Sequence, residues 1–181
     1  MSVPKKAFYF AFALIGVTGL WLATAKPDVQ ADELILGPQP GFLAPDFSLQ
    51  TLDGEVVTLS ELKGQPVLVN MWASWCTPCK YEMPAIQEAY EEFRDQGFTV
   101  LAVNLTKKDV LGSVESFVEE HGLTFPILLD QDGRVEDAYQ LRGLPTSFFI
   151  DRDGVIQSVV IGGPMSQEAI RSFVQKLIDE E

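Results

Sequence analysis

The stretch Val67-Leu-Val-Asn-Met-Trp72-Ala-Ser-Trp75-Cys76-Thr-Pro-Cys79-Lys80 decides the reading of this chain, because a nearly continuous apolar run leads straight into its only two cysteines. A short run of this kind is what a strand buried on both faces requires. Helix signals take over at Cys76. With Cys76 opening a helix, the unpaired amide N–H groups and the positive end of the dipole stabilise a thiolate there. Cys79 then sits one turn later, placed to attack a mixed disulfide formed at Cys76 and release the partner reduced. Pro78 suits the first helical turn, where its missing N–H costs nothing. Thiol–disulfide exchange is the chemistry this spacing serves best.

Other uses of such a pair fit less well. A zinc site wants four ligands, and beyond the two cysteines the chain offers one histidine, His121, far along the sequence, so no metal is expected. A static disulfide more often closes a longer loop.

Working outward, the chain reads as alternating strands and helices. Phe47-Ser-Leu49 and Val56-Val57-Thr-Leu59 flank the turn Asp53-Gly54 as a β-hairpin. After the cysteines a helix continues towards Asp95 with Ile86, Ala89, Tyr90 and Phe93 on one face, and Pro84 is expected to kink it. Phe98 to Leu105 is a strand, Asp109 to His121 a helix stopped by Gly122, and Phe125 to Asp130 another strand. A short helix from Val135 to Leu141 precedes Gly143-Leu144-Pro145-Thr146 and the strand Ser147 to Ile150. A second hairpin returns through Val155 to Ile161, and a helix from about Ser166 to Asp179 carries Ile170, Phe173, Val174, Leu177 and Ile178 on one stripe. The pattern is that of an α/β domain with a mixed central sheet flanked by helices.

At 181 residues, 46 % hydrophobic, the chain holds one well-filled core plus an extension. The extension is residues 1–25, in which Lys5 and Lys6 precede nineteen uncharged residues from Ala7 to Ala25. As a helix this stretch spans about 28 Å, close to the hydrocarbon thickness of a bilayer. The two lysines favour a cytoplasmic N-terminus and place the remainder outside. A cleaved signal sequence ending at Ala23-Thr24-Ala25 is the alternative, and the length of the apolar run favours a retained anchor. Residues 26–41, rich in Pro, Gly and charge, read as a linker, and residues 42–181 as the domain. Beyond the first 25 residues stand 26 acidic against 11 basic residues, a net charge of −15. No basic patch with interleaved aromatics appears, which argues against nucleic acid as a partner.

The chain resembles the thioredoxin fold, and within it the membrane-anchored, extracytoplasmic ResA/TlpA-type proteins of the AhpC/TSA-related branch. Four stretches carry the resemblance: Gly41-Phe-Leu-Ala-Pro-Asp-Phe-Ser-Leu, Leu59-Ser-Glu-Leu-Lys-Gly, Val69 to Pro84 around the cysteines, and Gly143-Leu-Pro-Thr-Ser-Phe-Phe-Ile-Asp. The resemblance implies a thioredoxin-like fold with an extra N-terminal hairpin and an added strand–helix unit at about residues 98–130. It also implies a cis peptide before Pro145, facing the redox pair across a substrate groove that Trp75, Pro78 and Leu144 help to form. Asn70 takes the place of the buried aspartate of ordinary thioredoxins. Glu82 matches an acid of the ResA-like branch and would accept the Cys79 proton from an apolar setting; the spacing alone equally allows a solvated glutamate.

From the resemblance follows a membrane-tethered thiol–disulfide oxidoreductase with Cys76, Cys79 and Glu82 as its catalytic residues and no cofactor. Its expected electron donor is a membrane thiol shuttle of the CcdA or DsbD type. The expected client is a protein disulfide such as the haem-attachment C-x-x-C-H of apocytochrome c. A disulfide-forming oxidant, a thiol peroxidase and a non-catalytic client-binding or Cu(I)-carrying module are the competing readings.

Overall fold

The computed structural model describes residues 35–179. The apolar stretch 1–25 and the linker up to residue 34 lie outside them. Five strands form the central sheet in the order β5-β4-β3-β6-β7, with β3 at Val67–Trp72 in the middle. Its neighbours are β4, Thr99–Asn104, running parallel, and β6, Thr146–Ile150, running antiparallel. The edges are β5, Ile127–Leu129, and β7, Ile156–Ile161. A separate hairpin pairs β1, Ser48–Gln50, with β2, Val56–Thr58. This is the mixed sheet, the extra hairpin and the thioredoxin-like layering that the sequence implies.

All six residues of β3 are buried, and the two-residue period of a strand divides them between two cores. Leu68 and Trp72 face a core shared with α1, Thr77–Phe93, α2, Leu111–His121, and α4, Gln167–Asp179. Val67, Val69 and Met71 face a second core with Phe47, Leu59, Tyr139 and Phe148. Asn70 belongs by this alternation to the helix-covered face. In the antiparallel register its partner on β6 is Ser147, so two polar residues lie side by side beneath α1.

Several boundaries shift from the sequence expectation for local reasons. Cys76 is the N-cap of α1 and not its first helical residue. The helix runs through Pro84, whose exposed ring costs it one internal hydrogen bond, and passes at Phe93 into a 3-10 turn. α2 begins at Leu111, two residues later than its apolar pattern suggests, because Asp109 turns its carboxylate to other donors. It ends at Gly122, whose left-handed φ of +59° glycine adopts freely. The short α3, Arg134–Ala138, stops early because Gln140 takes a positive φ. Within the segment read as a linker, Gly37 N–H donates to Leu43 and Gly41 N–H to Ile156.

Candidate active site

The loop from β3 to α1 delivers the two cysteines to the carboxyl end of the central strand. They form a disulfide, and Cys79 N–H donates to Cys76 Sγ at 3.3 Å. The sulfur of Cys76 therefore sits on the unpaired amides of the helix start, where a thiolate is favoured once the bond opens. The two differ in access. Both are buried, Cys76 at 4 % and Cys79 at 1 % exposure, but only Cys76 lines a groove of about 430 Å³, together with Trp75, Pro78 and Leu144. The Leu144–Pro145 peptide bond is cis, and Pro145 lies buried behind Leu144.

Glu82 is 1 % exposed, on the buried side of α1 one turn beyond Cys79. Asn70 Nδ2 donates to its Oε1 at 3.1 Å and to Ser147 Oγ at 2.8 Å. Met165 N–H donates to its Oε2 at 2.8 Å. Burial pushes the Glu82 carboxyl above its ordinary value; the bonds from Met165, Asn70 and Ser147 pull it back only in part. Among the described residues the Asn70 carbonyl oxygen has no partner. Gly163 packs closely on Glu82 and Pro145: a Cβ there would stand 2.5 Å from Glu82 Oε2 and 2.7 Å from Pro145 Cγ. The structure thus brings Glu82 and Pro145 together at Gly163 and sets Trp75, Cys76, Pro78 and Leu144 on the groove.

Two other aromatic side chains of the region take no part in the groove. Trp72 is core, packed on Phe117, in contrast to Trp75, which is 56 % exposed. His121 stacks on Phe117 at the end of α2 and bonds to the Phe117 carbonyl.

Sequence reasoning missed the contacts of the 104–110 turn. Asp109 accepts from Ser74 N–H and Ser74 Oγ, both at 2.6 Å, from Asn104 Nδ2 at 2.9 Å and from Val110 N–H at 2.8 Å. Desolvation opposes its charge, but the bonds from Asn104, Ser74 and Val110 outweigh that and hold the carboxyl below its usual range. The one local signal was an aspartate just before an apolar helix. Gly163 and Met165 were missed too, although the pair Gly162-Gly163 before Pro164 marks a close approach of backbone.

Residues 40–159 match the model of the AhpC/TSA family. The thioredoxin-like protein YneN of Bacillus subtilis (strain 168) is 40 % identical over 158 residues, covering 86 % of this chain and 88 % of that one. The thiol-disulfide oxidoreductase ResA of Geobacillus kaustophilus is 40 % identical over 137 residues, covering 76 % and 77 %. Among solved structures, StoA of Bacillus subtilis has a TM-score of 0.62 at 34 % identity, covering 71 % of this chain and 96 % of its own. A thiol:disulfide interchange protein of Chlorobium tepidum reaches 0.69 at 29 %, covering 77 % and 97 %.

Proposed function

This chain belongs to the AhpC/TSA family and is a thiol–disulfide oxidoreductase, and we propose that it works outside the cytoplasm as a membrane-tethered reductase of protein disulfides. The observation that carries this reading is the asymmetry of the pair: Cys76 lines the groove, Cys79 does not, and Glu82 is buried one helical turn on from Cys79.

In the reduced protein the Cys76 thiolate attacks one sulfur of a substrate disulfide. The substrate S–S bond breaks, a mixed disulfide forms at Cys76, and the released substrate thiolate takes a proton from water. Cys79 then gives its proton to the Glu82 carboxylate and attacks Cys76 Sγ. The mixed disulfide breaks, the second substrate sulfur leaves as a thiolate that takes a proton from water to complete the dithiol, Glu82 gives its proton back to solvent, and the protein retains the Cys76–Cys79 disulfide. Two electrons must then be returned, which we assign to a membrane thiol shuttle of the CcdA or DsbD type. Residues 1–25 serve in this reading as the tether, with the domain facing outward. As client we take a protein disulfide, the C-x-x-C-H of apocytochrome c that the resemblance to the ResA-like branch implies; the thiol-disulfide oxidoreductase relatives support the coarser class.

The test is the reduction potential of the pair in the full chain, set against defined thiol–disulfide buffers. A value near or below about −250 mV supports a reductase, and one near about −120 mV marks a disulfide-forming oxidant instead.

A further inference from the structure

Of the three residues between β3 and Cys76, Ser74 and Trp75 are both held from the same distant turn. Ser74 gives its backbone N–H and its hydroxyl to Asp109. Trp75, exposed though it is, donates its indole N–H to the Lys108 carbonyl at 3.0 Å. Asp109 is fixed in turn by Asn104, whose residue pairs with Trp72 across the β3–β4 register. Four donors converge on the Asp109 carboxylate, two on each oxygen: Ser74 N–H, Ser74 Oγ, Asn104 Nδ2 and Val110 N–H, so the backbone of the loop before Cys76 is held at Ser74 by a carboxylate 35 residues away in sequence.

The position of that loop matters because Trp75 is a partition. On one side it lines the groove that opens on Cys76. On the other it lines a second, more polar groove of about 380 Å³ with Ser74, Lys80, Ser113 and Glu120. A partition that swings between two grooves destroys the shape of both. An exposed indole held by one hydrogen bond at its tip stays put only if the backbone at its root is fixed.

We propose that Asp109 is a positioning residue for the exchange reaction: by clamping Ser74 it holds Trp75 as the wall of the groove, so that a protein disulfide is presented to Cys76 Sγ. The clamp acts on substrate docking and not on the chemistry of the sulfurs. It rests on Cys76 being the attacking thiol. It goes beyond a helix cap, although Asp109 Oδ1 also receives the Val110 N–H next to the start of α2.

The experiment compares full-length Asp109→Ala, Asp109→Asn and Ser74→Ala with the parent chain in two reactions. One is reduction of a protein disulfide, with insulin as probe; the other is reduction of the Cys76–Cys79 bond by dithiothreitol, too small to need the groove. The proposal expects KM for insulin to rise about tenfold in Asp109→Ala and in Ser74→Ala, with kcat and the dithiothreitol rate within twofold of the parent. Asp109→Asn, which keeps one acceptor oxygen, recovers part of the loss. In a Trp75→Ala background, Asp109→Ala adds nothing further to KM. Unchanged KM with a lowered melting temperature would reduce Asp109 to a helix cap and overturn the proposal. A dithiothreitol rate that falls in step with the insulin rate would overturn it as well, since the pair itself would then be disturbed. Should Asp109→Ala fail to fold, Ser74→Ala decides, because it removes one hydroxyl and leaves the bond between Asp109 and the Val110 N–H at the start of α2. Failure of the underlying reading shows separately, as insulin reduction that survives Cys76→Ser.

Discussion

Two carboxyl groups flank the redox loop, one beneath α1 and one beside the β3–α1 turn, and their surroundings drive them in opposite directions. Glu82 is almost wholly enclosed, and the bonds it receives from Met165, Asn70 and Ser147 do not make up for its lost hydration. Asp109 is half-buried and receives four donors. Burial dominates in the first case and hydrogen bonding in the second, so Glu82 keeps its proton more readily than a free carboxyl and Asp109 less readily. A group poised to take and return a proton is useful in exchange. A group locked as an anion is useful as an anchor. Donor count against burial separates the two roles where residue type cannot.

The comparison breaks first at Glu82. If its carboxylate accepts the Cys79 proton, Glu82→Gln slows resolution of the mixed disulfide by about 10²-fold. The parent rate rises as pH climbs through the raised Glu82 value, because only the ionised form accepts a proton, and the variant lacks that rise. Stopped-flow exchange across pH 6–9 reads both, and identical profiles would remove Glu82 from the mechanism.

Gly163→Ala probes the same carboxyl through its packing. The added methyl meets Glu82 and the Pro145 ring at distances real atoms do not tolerate. Overpacking of this kind destabilises by about 1–3 kcal/mol, measurable by denaturant unfolding, and it should disturb exchange through both neighbours.

A smaller effect distinguishes the two carboxyls by sign. The folded chain holds the Glu82 proton more tightly than the unfolded chain does. Stability from this group is therefore complete below its ordinary value of 4.5 and is lost as pH rises through the raised folded value. Asp109 behaves inversely: its contribution is complete above 3.8 and is lost as pH falls through the lowered folded value. Unfolding titrations of Glu82→Gln and Asp109→Asn against the parent should diverge toward alkaline pH in the first case. In the second they should converge toward acid. As pH rises the parent should lose stability relative to Glu82→Gln and gain it relative to Asp109→Asn; a change of the same sign in both pairs would show that donor count does not govern the difference.

His121 supplies the smallest expectation. Its ring stacks on Phe117 away from the groove, so His121→Ala leaves insulin reduction within twofold of the parent.

Most of the frame could be read from local pattern. Val67 to Trp72 announced a central strand because every position is apolar or paired from a neighbouring strand, and Gly122 announced a helix end because its backbone needs φ > 0. The cysteine spacing announced the chemistry because both thiols belong to one helical turn. Glu82 was legible only through kinship, since spacing places it on the Cys79 side of the helix without saying what covers it. That cover comes from Asn70 and from the chain at Gly163 and Met165, which are 12 and 83 residues away in the case of Asn70 and Met165. The Ser74–Asp109 clamp escaped for the same reason: it exists only when β4 lies in register beside β3. Local pattern reveals elements; groups that converge through tertiary register leave no such mark.

The central claim, attack by Cys76 and resolution by Cys79, is tested most directly by trapping. Reduced full-length Cys79→Ser is mixed with an oxidised C-x-x-C-H peptide, and the adduct is mapped by mass spectrometry. The account predicts a stable mixed disulfide on Cys76 in this variant and no corresponding adduct on Cys79 in Cys76→Ser. Equal trapping on Cys79 in Cys76→Ser would contradict it.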